Sequence, residues 1–328
     1  MVQHKRRLRI LVSPVGGQAM YGILHYLKEN GFEIFGIDCQ EDVAGKFFVD
    51  FFKKVPKIDD DRYKSSVLDL ICDNEIDIFM SWLDNEILFW NTEFYKNGIP
   101  EEIVNIFTFN FREDLLDFCD KYAFSTILNR NNLPTPITVS LKDFIDKRGY
   151  NIPFPFIIKP RLGSGSRMVN VIRDKLDFEC IMNFLDKEGF KKEDFIIQEL
   201  IEGSEYTVDF FSNMGELVNI CVRKRLKHKG ISIAGEVVYK EKIEELVGKF
   251  CSIFKIDGLN NIQIIESETS LYITDFNPRP SGTIILSIKA GIDLINNLIE
   301  KWKGEKITKY GKPKKLKMFR YYAEFYHE

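Results

Sequence analysis

Residues 271–283, LYITDFNPRPSGT, limit what this chain can fold into more than any other stretch. Tyr272, Thr274 and Phe276 alternate with Ile273, Asp275 and Asn277, the period-two pattern of an extended strand. In a regular strand Asp275 and Asn277 then point to one side, with Arg279 two residues further on. Pro278 and Pro280 lack the N–H that a sheet ladder needs, so the strand must end there. A carboxylate and an amide oxygen on one face suit a hard cation such as Mg²⁺, and a nearby guanidinium suits phosphate. Taken alone, the stretch fits a solvated polar turn at a strand end equally well.

The other 315 or so residues bound the answer differently. A chain of 328 residues, 45% hydrophobic and 29% charged, can bury the cores of two or three domains. The formal net charge of -3 gives no general electrostatic reason to expect nucleic acid or an anionic membrane as partner. Cys39, Cys72, Cys119, Cys180, Cys221 and Cys251 lie far apart with no C-x-x-C pair, which argues against a zinc ribbon or a disulfide framework. The basic N-terminus carries an apolar run of only residues 10–12, too short for a secretory or membrane segment, so a cytoplasmic protein is expected.

Residues 8–13 read as a buried strand, followed by a Pro14-Val15-Gly16-Gly17 turn and a helical pattern through Tyr21, Leu24 and Leu27 that stops at Asn30-Gly31. Residues 33–38 form the next strand. This is the βαβ opening of a Rossmann-like unit, and Asp38 at its end invites comparison with a dinucleotide site. Gly16, Gly17 and Gly22 do not make G-x-G-x-x-G, so the fingerprint is incomplete and the glycines serve the turn equally well. Residues 65–74 look helical and 76–81 form another strand, with Asp84 and Glu86 just beyond its C-terminal end, where open α/β sheets bind ligands. Both acids also fit an ordinary loop.

Residues 109–131 have helical spacing and contain Asp120-Lys121-Tyr122, and the prolines of Leu133-Pro134-Thr135-Pro136 mark a linker. Strand 154–159 then runs into Pro160-Arg161-Leu162-Gly163-Ser164-Gly165-Ser166-Arg167. Small residues beside Lys159, Arg161 and Arg167 can bring backbone N–H groups and cations against phosphate, although no Walker A sequence follows. A flexible hairpin between strands 156–158 and 168–172 is the plain alternative. After a helix over 176–188 come strands over 195–199, 206–211, 217–223 and 260–266, which makes this half antiparallel α+β. The run Arg223, Lys224, Arg225, Lys227, His228, Lys229 reads as solvated surface, without the aromatic interleaving of a nucleic-acid site. Residues 241–254 form an amphipathic helix, 284–302 a closing helical region, and the Lys-rich 301–317 a solvated tail.

Lys121 before the linker, Lys159 leading the small-residue loop, the strand with Glu199 and Ile201, and the Asp275/Asn277/Arg279 strand end beside Gln263 occur together. In this combination the chain resembles the ATP-grasp superfamily, and within it the carboxylate–amine ligases related to the carbamoyl-phosphate synthetase large subunit. The resemblance implies an α/β plus α+β architecture: a Rossmann-like preceding domain over 1–110, a linker helix and lid over 111–200, and an antiparallel grasp domain over 201–328. It makes Lys121 and Lys159 the nucleotide-binding lysines, with Gly163, Ser164, Gly165 and Ser166 closing over the phosphates. Glu199, Leu200 and Ile201 would meet the adenine, and Glu205 the ribose. Gln263, Asp275 and Asn277 would hold one or two Mg²⁺ ions, with Mn²⁺ as a substitute, and Arg225 and Arg279 would neutralise the transferred phosphoryl group. The family commonly has Glu at the position of Asp275 and often a carboxylate at that of Gln263, which leaves the metal geometry open.

Such a set implies phosphorylation of a small carboxylate by ATP, followed by attack of an amine on the acyl phosphate. The expected partners are small-molecule carboxylates and amines, and a second copy of the chain in a homodimer. Bicarbonate or carbamate phosphorylation, a non-catalytic nucleotide-binding protein and an NAD oxidoreductase are the alternatives. His4, His25, His228 and His327 are the only histidines, and His228 alone is near the expected site.

Overall fold

The computed structural model describes residues 6–146, 152–163, 165, 168–229 and 231–326. The chain opens with β1 (Arg9–Ser13), α1 (Met20–Glu29), β2 (Glu33–Asp38), β3 (Phe51–Lys54), α2 (Tyr63–Asp73), β4 (Ile78–Ser81), α3 (Asp84–Lys96) and the short α4 (Glu101–Val104). Its sheet has the order β3-β2-β1-β4 and is parallel, and β1, β2 and β4 are buried along nearly their whole length and read as largely apolar runs. The edge strand β3 is largely exposed and lacks that signature, which is why the sequence did not announce it. Asp84 and Glu86, expected in a loop, lie in the first turn of α3.

The helical stretch expected over 109–131 is two helices, α5 (Leu115–Cys119) and α6 (Lys121–Arg130). They break at Asp120, whose backbone is extended and whose carboxylate accepts from the N–H groups of Tyr122 and Ala123. That is an N-cap, and an N-cap needs a non-helical backbone. Next come β5 (Thr138–Ser140), α7 (Leu141–Ile145), β6 (Phe156–Pro160), β7 (Asn170–Ile172), α8 (Lys175–Lys187) and β8 (Phe195–Glu199). Their antiparallel sheet, β5-β8-β6-β7, has its own core of Val139, Phe156, Ile158, Leu185 and Ile197. Gly203 hands the chain from this unit to the next. A Cβ there would stand 2.2 Å from the backbone oxygen of Glu266, so only glycine permits the approach.

The last unit holds β9 (Ser204–Asn213), β10 (Glu216–Lys229), β11 (Ile231–Val238), α9 (Glu241–Phe254), β12 (Gly258–Glu266), β13 (Leu271–Asn277), α10 (Ile284–Lys289), α11 (Leu294–Trp302) and β14 (Lys317–Phe319). The sheet order is β13-β12-β9-β10-β11-β14, antiparallel throughout. One face packs on α9 and α6 through Val208, Phe210, Ile262, Val247, Phe250 and Leu128. On the opposite face Phe211, Cys221 and Leu259 join Ile10, Val12 and Leu24 of the first unit and Ile284 and Ile295 in one continuous core.

Three expectations change here. The basic run is part of β10 rather than a solvated loop, and Arg223 within it is 2% exposed. The Lys-rich tail ends in β14, which pairs with β11 at Ala234, Gly235 and Glu236. Strict alternation also fails in β13: the register moves from Gln263↔Asp275 to Ile264↔Ile273, a bulge that absorbs Thr274. Ile273 therefore joins Phe276 in the α9-facing core, while Asp275 and Asn277 point to the other face. Among the described residues no helix is long and apolar enough to cross a membrane.

Candidate active site

Because strand residues two apart share a face, the register of the six-stranded sheet lays polar side chains out in rows. Asp275 stands opposite Gln263, Gln263 opposite Thr207, and Thr207 opposite Arg223. In the neighbouring row Asn277 faces Asn261, then Asp209, then Cys221. The strand end at Asp275 and Asn277 is thus one end of a polar surface four strands wide.

Two lysines reach this surface from other elements. Lys159 on β6, 7% exposed, brings Nζ to 3.5 Å from Asp275, and Lys121 at the start of α6 brings its own to 3.7 Å. Asp120 fixes that arrangement. Besides capping α6 it accepts from Arg161 just after β6, so the helix start and the lid strand are tied by one carboxylate. Lys121 Nζ also donates to the carbonyls of Gly163, at 2.8 Å, and Arg161. Gly163 and Gly165 take φ of +103° and +77°, which leaves their loop free to present backbone where side chains would strain.

Charge here is unevenly balanced, with two ammonium groups around one carboxylate. Burial pushes the Asp275 carboxyl up, but Lys159 and Lys121 outweigh it and hold the group below the usual carboxylate range. Burial, helped by the like charge of Lys121, lowers Lys159 against the pull of Asp275. A buried excess of positive charge beside a backbone-lined loop favours an anion. The amide partners are oriented too. Asn277 Nδ2 donates to Asn261 Oδ1 at 3.0 Å, and Asn261 Nδ2 donates to the carbonyl of Arg279, which leaves Asn277 Oδ1 to face outward. Asp275, Asn277 and Gln263 supply one carboxylate and two amide oxygens, and no group of three or more His, Cys, Asp or Glu that could hold a metal occurs among the described residues. The donor set suits Mg²⁺, which keeps waters and takes one or two carboxylates plus phosphate oxygens, better than Zn²⁺.

Arg279 is engaged by a residue the sequence left ambiguous. Asp84 of α3 takes its guanidinium in a two-pronged pair at 2.7 and 2.8 Å, which brings the crevice of the parallel sheet against the polar face. Arg225 pairs with Glu205 at 3.3 Å. Glu199 ends β8 and accepts from the N–H of Ile137, and Leu200 and Ile201 follow it, half-buried. Ser164, Ser166 and Arg167 lie outside the described residues. His228 is opposite Ser232 in the β10–β11 register. Glu86 is no surface acid: it is buried and accepts from Ser13, Ser81 and Tyr63. Asp38, the acid that suggested a dinucleotide, is taken by the N–H groups of Gly16 and Gln40.

Sequence reading missed Asn261, Asp209 and the structural role of Asp120. The period-two spacing of Cys221, Arg223 and Arg225 was available as a sign that the basic run is a strand.

Residues 191–324 match the family described as ATP-grasp in the biosynthetic pathway with Ter operon, and residues 10–100 match the PylC-like N-terminal domain. Over residues 191–324 the chain is thus similar to an ATP-grasp family, and its fold is the ATP-grasp fold. The ATP-grasp fold is shared with N5-carboxyaminoimidazole synthetase from Staphylococcus aureus complexed with ADP, at a TM-score of 0.74 and 16% identity over 96% of this chain and 83% of that one. It is shared too with the biotin carboxylase domain of Hydrogenobacter thermophilus 2-oxoglutarate carboxylase, solved with MgADP, ADP and bicarbonate. There the TM-score is 0.71 at 17% identity, over 92% of this chain and 71% of that one. In sequence the chain is 26% identical over 231 residues to the carbamoyl phosphate synthase large chain of Clostridium acetobutylicum, covering 66% of this chain and 21% of that protein. The chain therefore spans about a fifth of the length of the curated relatives it matches.

Proposed function

We propose that the chain is an ATP- and Mg²⁺-dependent ligase that phosphorylates a small carboxylate and couples it to an amine. The observation that carries this reading is the convergence of Lys121 and Lys159 on Asp275, at the end of the row shared with Gln263 and beside Asn277. Phosphoryl transfer needs positioning and charge neutralisation more than covalent help from the protein, and the two ammonium groups and Arg279 supply both. Lys121 and Lys159 bind the phosphates, under the loop containing Gly163, Ser164, Gly165 and Ser166. Gln263, Asp275 and Asn277 hold the metal, which when bound contributes Lewis-acid neutralisation of phosphate charge. Glu199, Leu200 and Ile201 border the base, and Glu205 the ribose. Arg279 and Arg225 flank the acyl group, with the loop excluding water from the labile acyl phosphate.

The test is release of ADP and phosphate with a panel of amino acids as acceptors and amines. Wild-type protein is expected to turn over with at least one pair, and Asp275→Ala with Asn277→Ala to lose turnover by a factor of at least about 100, the effect of removing electrostatic stabilisation. Full turnover in the double variant would sink the metal assignment. Bicarbonate as the acceptor is the second reading, favoured by the similarity to carbamoyl phosphate synthase large chains; ATPase activity that depends on bicarbonate alone would select it.

A further inference from the structure

Beyond the nucleotide end, the polar face continues into a cluster of arginines, of which the proposed chemistry uses Arg225 alone. Arg223 is buried against Asp209, and its guanidinium also donates to Ser281, at 2.7 Å, and to Thr283. Arg225 has Glu205 at 3.3 Å. Arg320, just past β14, is half-buried, and among the described residues its guanidinium donates to the carbonyls of Gly282 and Ser232. Among the described residues these three guanidiniums thus have two carboxylate partners, Asp209 and Glu205. The Nε atoms of Arg223 and Arg225 are both buried without a hydrogen-bond partner, although buried donors of this kind are normally satisfied. Both arginines line one cavity of about 10 Å³ with Thr207, Ser232, Thr283 and Met318, room for a single water or one ligand oxygen. Arg223 lies three strands from Asp275 in the same row, about 14 Å at about 4.8 Å per strand.

We propose that Arg223, Arg225 and Arg320 form an anion subsite for the acceptor, holding an acidic group other than the one that is activated. The acceptor then carries at least two acidic groups, the second a carboxylate or a phosphate. Two buried N–H donors, on Arg223 and Arg225, lack acceptors without such a group, and Arg320 adds a charge with only carbonyl acceptors among the described residues; an oxyanion would supply both the acceptor and the countercharge. Met318 of β14 forms one wall, and the three-residue pairing of β14 with β11 is the smallest in the sheet, so the acid enters by displacing little structure. This inference rests on the ligase reading for the identity of the acceptor, but not for the presence of the anion site.

The test separates the two. Full-length protein is titrated calorimetrically with alanine, glutamate and O-phosphoserine, with and without a non-hydrolysable ATP analogue and Mg²⁺. Glutamate or O-phosphoserine is expected to bind at least tenfold more tightly than alanine, and whichever of the two binds tighter identifies the second group as carboxylate or phosphate. Arg320→Gln should erase that ratio and Arg320→Lys should keep most of it, with melting temperatures confirming that both variants fold. Equal binding of all three amino acids, or an unchanged ratio in Arg320→Gln, would overturn the subsite and leave the cavity to water. Failure of the ATP analogue to bind while the ratio persists would overturn the nucleotide reading alone.

Discussion

At the scale of the residue, Lys159 illustrates how much depends on burial. Its ammonium is almost wholly enclosed and has Asp275 as its only close carboxylate partner among the described residues. Replacing it with alanine removes one charge-assisted phosphate contact, about 1.5–3 kcal/mol, so ATP binding measured by calorimetry should weaken roughly 10- to 100-fold. Asp84→Ala acts on Arg279 instead. Breaking a largely desolvated charge pair costs about 2 kcal/mol or more, so turnover should fall about thirtyfold while ATP affinity holds. Glu86 makes a stability prediction with a sign. Burial raises its pKa against the opposing hydroxyls of Ser81, Tyr63 and Ser13. Its contribution is therefore complete at acid pH and is lost as pH rises through the folded value. Glu86→Gln should match wild type at low pH and gain on it as pH rises, read as melting temperature against pH. That Asp275 and Asn277 share a face was legible in the sequence because their spacing carries it. The capture of Arg279 by Asp84 was not, because 195 residues separate the partners.

At the scale of the element, Asp120 serves two structures with one carboxylate. Asp120→Ala should cost about 1 kcal/mol for the lost cap and a further 1–2 kcal/mol for the stranded Arg161 guanidinium. Chemical denaturation would read the sum. The long elements with regular apolar spacing, such as α9 and β12, were visible in the sequence, since period alone determines them. Short elements were not. Strands β3, β5 and β14, with three or four residues each, carry too few side chains for a period to show and depend on neighbours for their pairing. The basic run misled for a related reason: in β10 a buried Asp209 offsets the charge of Arg223, and the partner sits on another strand.

For the whole molecule, the distribution of cores decides how it comes apart. The parallel sheet and the six-stranded sheet share one hydrophobic core, whereas the unit containing β5 to β8 has a small core of its own. Hydrogen exchange should therefore show amides of Ile158 and Ile197 opening at lower free energy than those of Ile10 and Phe211, which should exchange together near the global limit. Equal protection in both sets would contradict this division. The three-part order was readable because strand grammar changes from parallel to antiparallel near the proline linker. The shared core was not, since nothing in the separate patterns says which outer faces meet.

The bulge at Thr274 gives the site an unusual mutational profile. Thr274 is the extra residue between the Ile264↔Ile273 and Gln263↔Asp275 pairs, so its loss would restore strict alternation with every pair kept and leave Asp275 and Asn277 on the polar face. Loss of Phe276 would instead put Asp275 and Asn277 next to each other in the chain and turn them to opposite faces. The segment therefore tolerates a change of length at the bulge and not between its two polar residues. An alignment gap at Thr274 in a homologue is compatible with the same chemistry, whereas a gap at Phe276 would mark a protein that has given it up while keeping the fold.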